Sequence, residues 1–162
     1  MLEKLNASSI RPASADLYDW DELVQEDRVH RLIYTDQAIF EAELTNIWGA
    51  VWVYLGHDSQ IPNNNDYITT KLGLRPIILL RDSHGKIRAL FNRCTHRGTT
   101  LCRLERGNAF QFVCPYHGWS FLNTGKLRAV PWPDGYACDF KDEKFNVAQV
   151  PRVESYLSLI HI

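Results

Sequence analysis

Pro76-Ile77-Ile78-Leu79-Leu80-Arg81-Asp82-Ser83-His84-Gly85-Lys86-Ile87-Arg88-Ala89-Leu90-Phe91 reads as two β-rich runs joined by a turn. Pro76 to Arg81 and Ile87 to Phe91 are the strands, and Asp82-Ser83-His84-Gly85 supplies the polar and glycine residues of a hairpin connection. The same grammar continues on both sides. Val51-Trp52-Val53-Tyr54-Leu55 reads as a strand upstream. Downstream, Phe110 to Val113 reads as another, and Ser120 to Leu122 with Lys126 to Val130 flank an Asn-Thr-Gly turn. Short runs separated by turn signals every ten residues or so predict a mainly β fold, a small antiparallel barrel or sandwich. One segment departs from it. Thr35 or Asp36 can cap an α-helix whose apolar Phe40, Leu44, Ile47 and Trp48 fall at i, i+4, i+7 and i+8, with Gly49 as its stop. Residues 1–34 read as an N-terminal arm, acidic and weakly periodic to about Asp27, and 35–156 as the helix plus the β domain.

A chain of 162 residues, 45% apolar and 23% charged, has room for one globular core and is too apolar to be disordered. Eighteen basic against nineteen acidic residues leave a formal charge of −1, which removes the footprint of a general nucleic-acid binder. The balance is uneven along the chain. Residues 1–43 hold ten acids and four bases, whereas 86–106 hold Lys86, Arg88, Arg93, Arg97, Arg103 and Arg106 against Glu105 alone. The longest apolar stretch, Ile47 to Leu55, is about nine residues, under half of a membrane span. The N-terminus has no basic segment leading into an apolar one. A cytoplasmic protein is expected, and in that compartment four cysteines point to a metal site before disulfides.

Immediately after the hairpin stands Arg93-Cys94-Thr95-His96-Arg97-Gly98, and after the next run Cys114-Pro115-Tyr116-His117-Gly118-Trp119. The pattern is C-x-H, seventeen residues, then C-x-x-H, with a glycine within two residues of each histidine. Zinc accepts two cysteines and two histidines, but its common signatures pair like with like in sequence. Two disulfides would leave the histidines unexplained. A Rieske [2Fe–2S] centre takes two cysteines on one iron and two histidines on the other, so each loop supplies one ligand to each iron. The mixed pairing fits this third arrangement, with Cys94, His96, Cys114 and His117 as ligands. Cys102 and Cys138 fit no ligand spacing and read as small buried hydrophobes. His30, His57 and His84 lack nearby partners. Trp119 is either a shield over the centre or a core aromatic, and Tyr116 packs or donates a hydrogen bond near it. Arg93 and Arg97 are candidates for steering an acidic redox partner or for pairing with carboxylates of a neighbouring subunit, against the plainer reading of a solvated face.

Over about residues 28–156 the chain resembles the N-terminal Rieske half of the large (α) subunit of aromatic-ring-hydroxylating dioxygenases. The resemblance lies in Trp52 to Ser59 with Ile61-Pro62 and Asp66-Tyr67, in Asn92 to Gly98 and Cys114 to Trp119, and in Val150 to Tyr156. The lead-in and Val130-Pro131-Trp132-Pro133-Asp134-Gly135 look closest to the benzoate- and anthranilate-type oxygenases. Such a resemblance implies electrons received from a ferredoxin or a flavin/iron–sulfur reductase fed by NAD(P)H. It implies onward passage to mononuclear non-haem Fe(II) in the adjacent α subunit, with or without a β subunit, and dihydroxylation of an aromatic substrate, an aromatic carboxylate by closeness. That iron sits on two histidines and a carboxylate, and no such triad can be assembled here, so no catalytic residue is assigned and the catalytic domain is expected to be absent. Thr99 and Tyr116 stand where respiratory Rieske proteins carry a loop-bridging disulfide, and Trp119 where they carry a hydroxyl aimed at the cluster. Fewer hydrogen bonds to sulfur imply the low end of the Rieske range of roughly −150 to +300 mV. Leu157-Ser158-Leu159-Ile160-His161-Ile162 departs from the family and matches a translated sequencing-library adapter, so these six residues are expected to be read-through of an incomplete gene. A free-standing Rieske ferredoxin is the alternative function, disfavoured by the roughly ninety residues ahead of Cys94.

Overall fold

In a computed structural model, residues 18–136, 140 and 143–162 are described. The chain divides into two compact units, residues 1–51 and 52–162. In the first, a single turn α1 (Trp20–Leu23) starts where the Asp19 carboxylate accepts the N–H groups of Asp21 and Glu22. A second turn, α2 (Leu32–Thr35), leads into α3 (Gln37–Asn46). Asp36 caps α3 by accepting from the N–H groups of Ala38 and Ile39, as its position before the helix predicts. The stretch read as an N-terminal arm, residues 1–34, therefore holds the α1 turn and most of α2, and α3 is not the sole helical segment. The expected apolar face differs as well. Ile39 is the residue buried in α3, while Phe40, Ile47 and Trp48 are exposed. The helix ends at Asn46, so Ile47 and Trp48 lie in the turn beyond it and cannot extend a helical stripe.

The second unit is three antiparallel sheets. The central one orders its strands β4 (Ile87–Phe91), β3 (Arg75–Arg81), β2 (Asp66–Leu72) and β5 (Arg106–Asn108). Its β3–β4 hairpin is the one read from the sequence, with Ile77 opposite Phe91 and Arg81 opposite Ile87. Ile77 to Leu80 are all within 1% of complete burial, because this sheet is covered on both faces. Ile78 and Leu80 enter one core with Tyr67, Phe112, Trp119 and Phe121. Ile77 and Leu79 enter the other with Leu55, Ile61, Ile68 and Ile160. Each such side chain contributes about 1.5–3 kcal/mol by leaving water.

The first core is closed by β6 (Gln111–Val113), β7 (Ser120–Leu122) and β8 (Leu127–Ala129) in sequential order. The second is closed by β1 (Tyr54–His57), β10 (Leu159–His161) and β9 (Glu154–Tyr156). The strand expected at Val51–Leu55 is thus displaced to Tyr54–His57, since pairing begins only where Val53 exchanges N–H and C=O with Ile162. The residues expected to be read-through form the middle strand of this sheet, with Ile160 fully buried. Among the described residues no helix is long and apolar enough to cross a membrane.

Candidate metal centre

The two loops that follow β4 and β6 are the same turn built twice. In the first, the Cys94 carbonyl accepts from Gly98 N–H at 2.8 Å and Cys94 N–H donates to the Thr99 carbonyl at 2.8 Å. In the second, the Cys114 carbonyl accepts from Gly118 N–H at 3.0 Å and Cys114 N–H donates to the Trp119 carbonyl at 2.7 Å. The offsets from cysteine, four and five residues, are identical. Gly98 and Gly118 close the turns at φ +74° and +72°, a region L side chains avoid. A Cβ at Gly98 would also stand 2.9 Å from the Arg93 guanidinium, and one at Gly118 3.1 Å from Pro131. His96 lies two residues after its cysteine and His117 three, yet the paired turns bring both rings to one place.

Four donors meet there in like pairs. Cys94 and Cys114 are buried at 2% and 3% exposure, and their thiols are hydrogen-bond neighbours. Burial pushes the Cys94 thiol up, the N–H groups of His96 and Arg97 aimed at its sulfur oppose that, and the Cys114 thiol adds to it. The His96 and His117 rings meet edge to face with centroids 4.7 Å apart. Nδ1 of each is buried with no hydrogen-bond partner among the described residues. A buried orphan nitrogen costs about 1–3 kcal/mol, and here two stand on rings in contact with each other. Burial, then the charges of His117 and Arg97, hold His96 below the usual imidazole range, so the ring is neutral as a ligand must be. Among the described residues no three His, Cys, Asp or Glu side chains converge on a point for a single ion. Two thiols beside two imidazoles suit a two-metal group with two protein ligands on each metal better than one tetrahedral ion.

Each imidazole carries an aromatic ring on its face. Trp119, 3% exposed, stacks on His96 with planes 3° apart. Its indole N–H points to the Tyr136 hydroxyl at 3.4 Å, and Phe140 and Phe145 meet it edge-on. Tyr116, 58% exposed, lies 3.7 Å over His117. The two roles considered for Trp119 coincide, for it belongs to the first core while covering a candidate ligand.

Asn92 was not singled out by sequence reasoning, although it directly precedes the first loop. It is buried, donates to the Cys102 carbonyl at 2.7 Å and accepts from the N–H groups of Leu101 and Cys102. It thereby ties the far end of that loop to β4. Thr95 donates to the Phe145 carbonyl at 2.7 Å, a contact fifty residues away that spacing cannot reveal. Cys102 is buried in the first core, where its thiol meets the Tyr67 hydroxyl. Burial, with the Cys102 thiol as hydrogen-bond partner, pushes the Tyr67 hydroxyl up to about 12. Cys138 lies outside the described residues. His30 accepts from Leu32 N–H and His57 contacts Ser59, both local contacts. An open groove of about 660 Å³ runs beside Cys94 and His96, lined also by Arg75, Arg93, Arg97 and Phe91.

The family model described as Rieske [2Fe-2S] domain matches residues 51–153. Toluate 1,2-dioxygenase subunit alpha of Pseudomonas putida is 40% identical over 149 residues, 85% of this chain and 33% of that protein. Anthranilate 1,2-dioxygenase large subunit of Acinetobacter baylyi is 36% identical over 157 residues, 91% of this chain and 33% of that protein. A naphthalene 1,2-dioxygenase structure with indole in its active site superposes with a TM-score of 0.77 at 41% identity, over 86% of this chain and 32% of that one. The chain spans about a third of the length of the relatives it matches. It belongs to the Rieske [2Fe–2S] domain family.

Proposed function

We propose that this Rieske domain is the electron-transfer part of the large subunit of an aromatic-ring-hydroxylating dioxygenase. Cys94 and Cys114 would hold one iron as thiolates, and His96 and His117 the other through Nδ1. The observation that carries this reading is the pair of buried, partnerless Nδ1 atoms beside two contacting buried thiols. When bound, a [2Fe–2S] group supplies a reversible one-electron couple. The chain's own residues do the rest. The backbone N–H groups of His96 and Arg97 face the Cys94 sulfur and stabilise negative charge on it. Trp119, with Tyr136 and Phe140 around it, keeps water from one face of His96 and fixes the ring plane. Matched knuckle turns give both cysteines the same backbone setting, each carbonyl accepting from a glycine N–H four residues on.

The similar proteins named above act on toluate, anthranilate and naphthalene, and on that likeness we assign the whole protein an aromatic substrate, with an aromatic carboxylate preferred. Electrons would arrive from a ferredoxin or reductase in the cytoplasm and leave to mononuclear iron in a neighbouring α subunit. Protein produced with iron and sulfide is expected to be brown and, once reduced, to give the low average g-value of a mixed-ligand [2Fe–2S] centre. His96→Cys and His117→Cys should each abolish that signal, while Cys102→Ser should preserve it. Stoichiometric zinc without acid-labile sulfide would overturn the assignment. The 162-residue chain alone should turn over no aromatic carboxylate.

A further inference from the structure

We infer that Thr95, between two of the candidate ligands, is a positioning residue: its hydroxyl holds Phe145, and through Phe145 it keeps Trp119 seated on His96. This rests on the Rieske reading above. The two knuckle turns share one backbone but differ in the residue after the cysteine, which is Thr95 in the first and Pro115 in the second. Pro115 has no side-chain donor. The Thr95 hydroxyl donates to the Phe145 carbonyl at 2.7 Å, an ordinary length for such a bond. A β-branched side chain is stiff at χ1, so the hydroxyl restrains its partner rather than following it. Phe145 in turn meets Trp119 with centroids 6.2 Å apart and planes at 66°. Trp119 stacks on His96, the residue next to Thr95. These contacts close a ring from Thr95 through Phe145, Trp119 and His96 back to Thr95.

The two imidazoles are covered in different ways. His117 lies under Tyr116, its neighbour in the same turn. His96 lies under a ring from the other loop, and Phe140 and Phe145 from a third segment meet that ring edge-on. Three pieces of chain thus converge on one imidazole, and the Thr95 hydroxyl ties the third to the first. The third piece is anchored just beyond Phe145. The Asn146 carboxamide oxygen accepts from Leu127 N–H at 2.8 Å, and Val147 N–H donates to the Gly125 carbonyl at 2.8 Å. Phe91 N–H donates to the Ala148 carbonyl at 2.9 Å. Residues 146–148 are therefore pinned to β4 and to the β7–β8 hairpin, whereas Phe145 is held at its carbonyl by Thr95. Without that hydroxyl, Phe145 is free to swing from Trp119, and water reaches the face of His96. A [2Fe–2S] centre with two thiolates and two neutral imidazoles is uncharged when oxidised and carries one negative charge when reduced, so water there favours the reduced form.

The test compares two variants of the brown, cluster-loaded chain: Thr95→Val, which keeps the shape and loses the hydroxyl, and Thr95→Ser, which keeps the hydroxyl. Thr69→Val is the reference for an equivalent bond lost elsewhere, since the Thr69 hydroxyl donates from β2 to the Leu104 carbonyl at 3.2 Å. Thr95→Val should bleach about fivefold faster in a chelator, the scale of one lost hydrogen bond. Its reduction midpoint, titrated by electron paramagnetic resonance, should be higher than the parent's. Thr95→Ser should restore parental bleaching and midpoint, and Thr69→Val should leave the midpoint unmoved whatever it loses in stability. Parental bleaching and midpoint in Thr95→Val, with the mixed-ligand signal intact, would overturn the tether and leave the Rieske reading standing. An equal shift in Thr95→Ser or in Thr69→Val would overturn it as well. A Thr95→Val chain that takes up no cluster while Thr95→Ser does supports the tether, and failure of both to load counts against it. Absence of the mixed-ligand signal in the unsubstituted chain would overturn both readings.

Discussion

The indole of Trp119 lies parallel to the imidazole of His96, 3° apart in plane and 4.7 Å between centroids. An exposed stack of this kind would add little. Here the indole is 3% exposed and wedged among Phe121, Tyr136, Phe140 and Phe145, so it cannot turn without moving the core. It therefore fixes the direction of a ring whose buried Nδ1 has no partner among the described residues. Trp119→Ala should cost about 3–5 kcal/mol of stability and make the centre bleach much faster in the presence of a chelator. Trp119→Phe should bleach at a rate between the two. Equal bleaching rates for all three proteins would show that the stack does not hold His96.

Asn92 makes three buried hydrogen bonds to residues 101 and 102. Truncating it strands two N–H groups and a carbonyl, each worth about 1–3 kcal/mol when left unpaired in the interior. Asn92→Ala should lower the thermal midpoint and loosen the Cys94 loop, seen as faster hydrogen exchange at Leu101 and Cys102. Asn92→Asp, which keeps the acceptor, should fall short of the parent because it repels the Cys102 carbonyl.

How far the fold was legible follows from what fixes each part. The β3–β4 hairpin was readable because four consecutive aliphatics and an Asp-Ser-His-Gly turn need no distant partner to be recognised. β2 was not, since Tyr67-Ile68-Thr69-Thr70-Lys71 alternates poorly and follows three asparagines. In α3 the cap was local and correct. The apolar stripe failed because its last two members lie beyond the helix end and because α3 buries Ile39 rather than Phe40. At the site, residue type and spacing identify the cysteines and histidines. The orientation of Nδ1, the stacking of Trp119 and Tyr116, and the Asn92 clamp depend on pairings across the fold that no local pattern records.

Asp82 gives a pH dependence with a defined sign. It is 1% exposed; burial alone would raise its carboxyl, but the Arg88 guanidinium at 2.7 Å and the N–H groups of Lys86 and His84 hold it below the usual carboxylate range. A depressed folded value means stability present above the unfolded value, near 3.9, and lost as pH falls through the folded one. Asp82→Asn should therefore be clearly less stable than the parent at pH 7, by about 3 kcal/mol from leaving Arg88 unpaired. The gap between the two thermal midpoints should narrow as pH drops from 5 toward 3. A gap that stays constant over that range would mean the ionised carboxylate is not what stabilises the turn.

The reduction potential is expected at the low end of the Rieske range of roughly −150 to +300 mV. Trp119, at the position matched to a sulfur-directed hydroxyl, offers an indole N–H that points instead to Tyr136. Thr99 and Tyr116 cannot form a loop-bridging disulfide. A titration monitored by electron paramagnetic resonance checks this, and a strongly positive midpoint would refute it.

The last six residues pose a conflict between sequence and backbone that experiment can resolve. Tyr156 and Leu159 pair across a two-residue turn, Leu157-Ser158, with both residues at positive φ, 47° and 66°. That geometry is the one Asn-Gly adopts readily, whereas leucine resists it at a cost of about 1–2 kcal/mol. Yet the strand beyond is well seated. Ile160 is fully buried among Leu55, Ile61 and Leu79, and Ile162 exchanges both backbone hydrogen bonds with Val53. If the strand forms in solution, Leu157→Asn with Ser158→Gly should raise stability by about 1–2 kcal/mol through relief of the turn. Ile160→Ala should lower it by about 2–5 kcal/mol, and removal of residues 157–162 should cost at least as much, since β9 then loses its only neighbour in the sheet. The opposite result, a deletion that leaves the thermal midpoint where it was, would mean that these six residues do not contribute to the fold, as expected of read-through sequence.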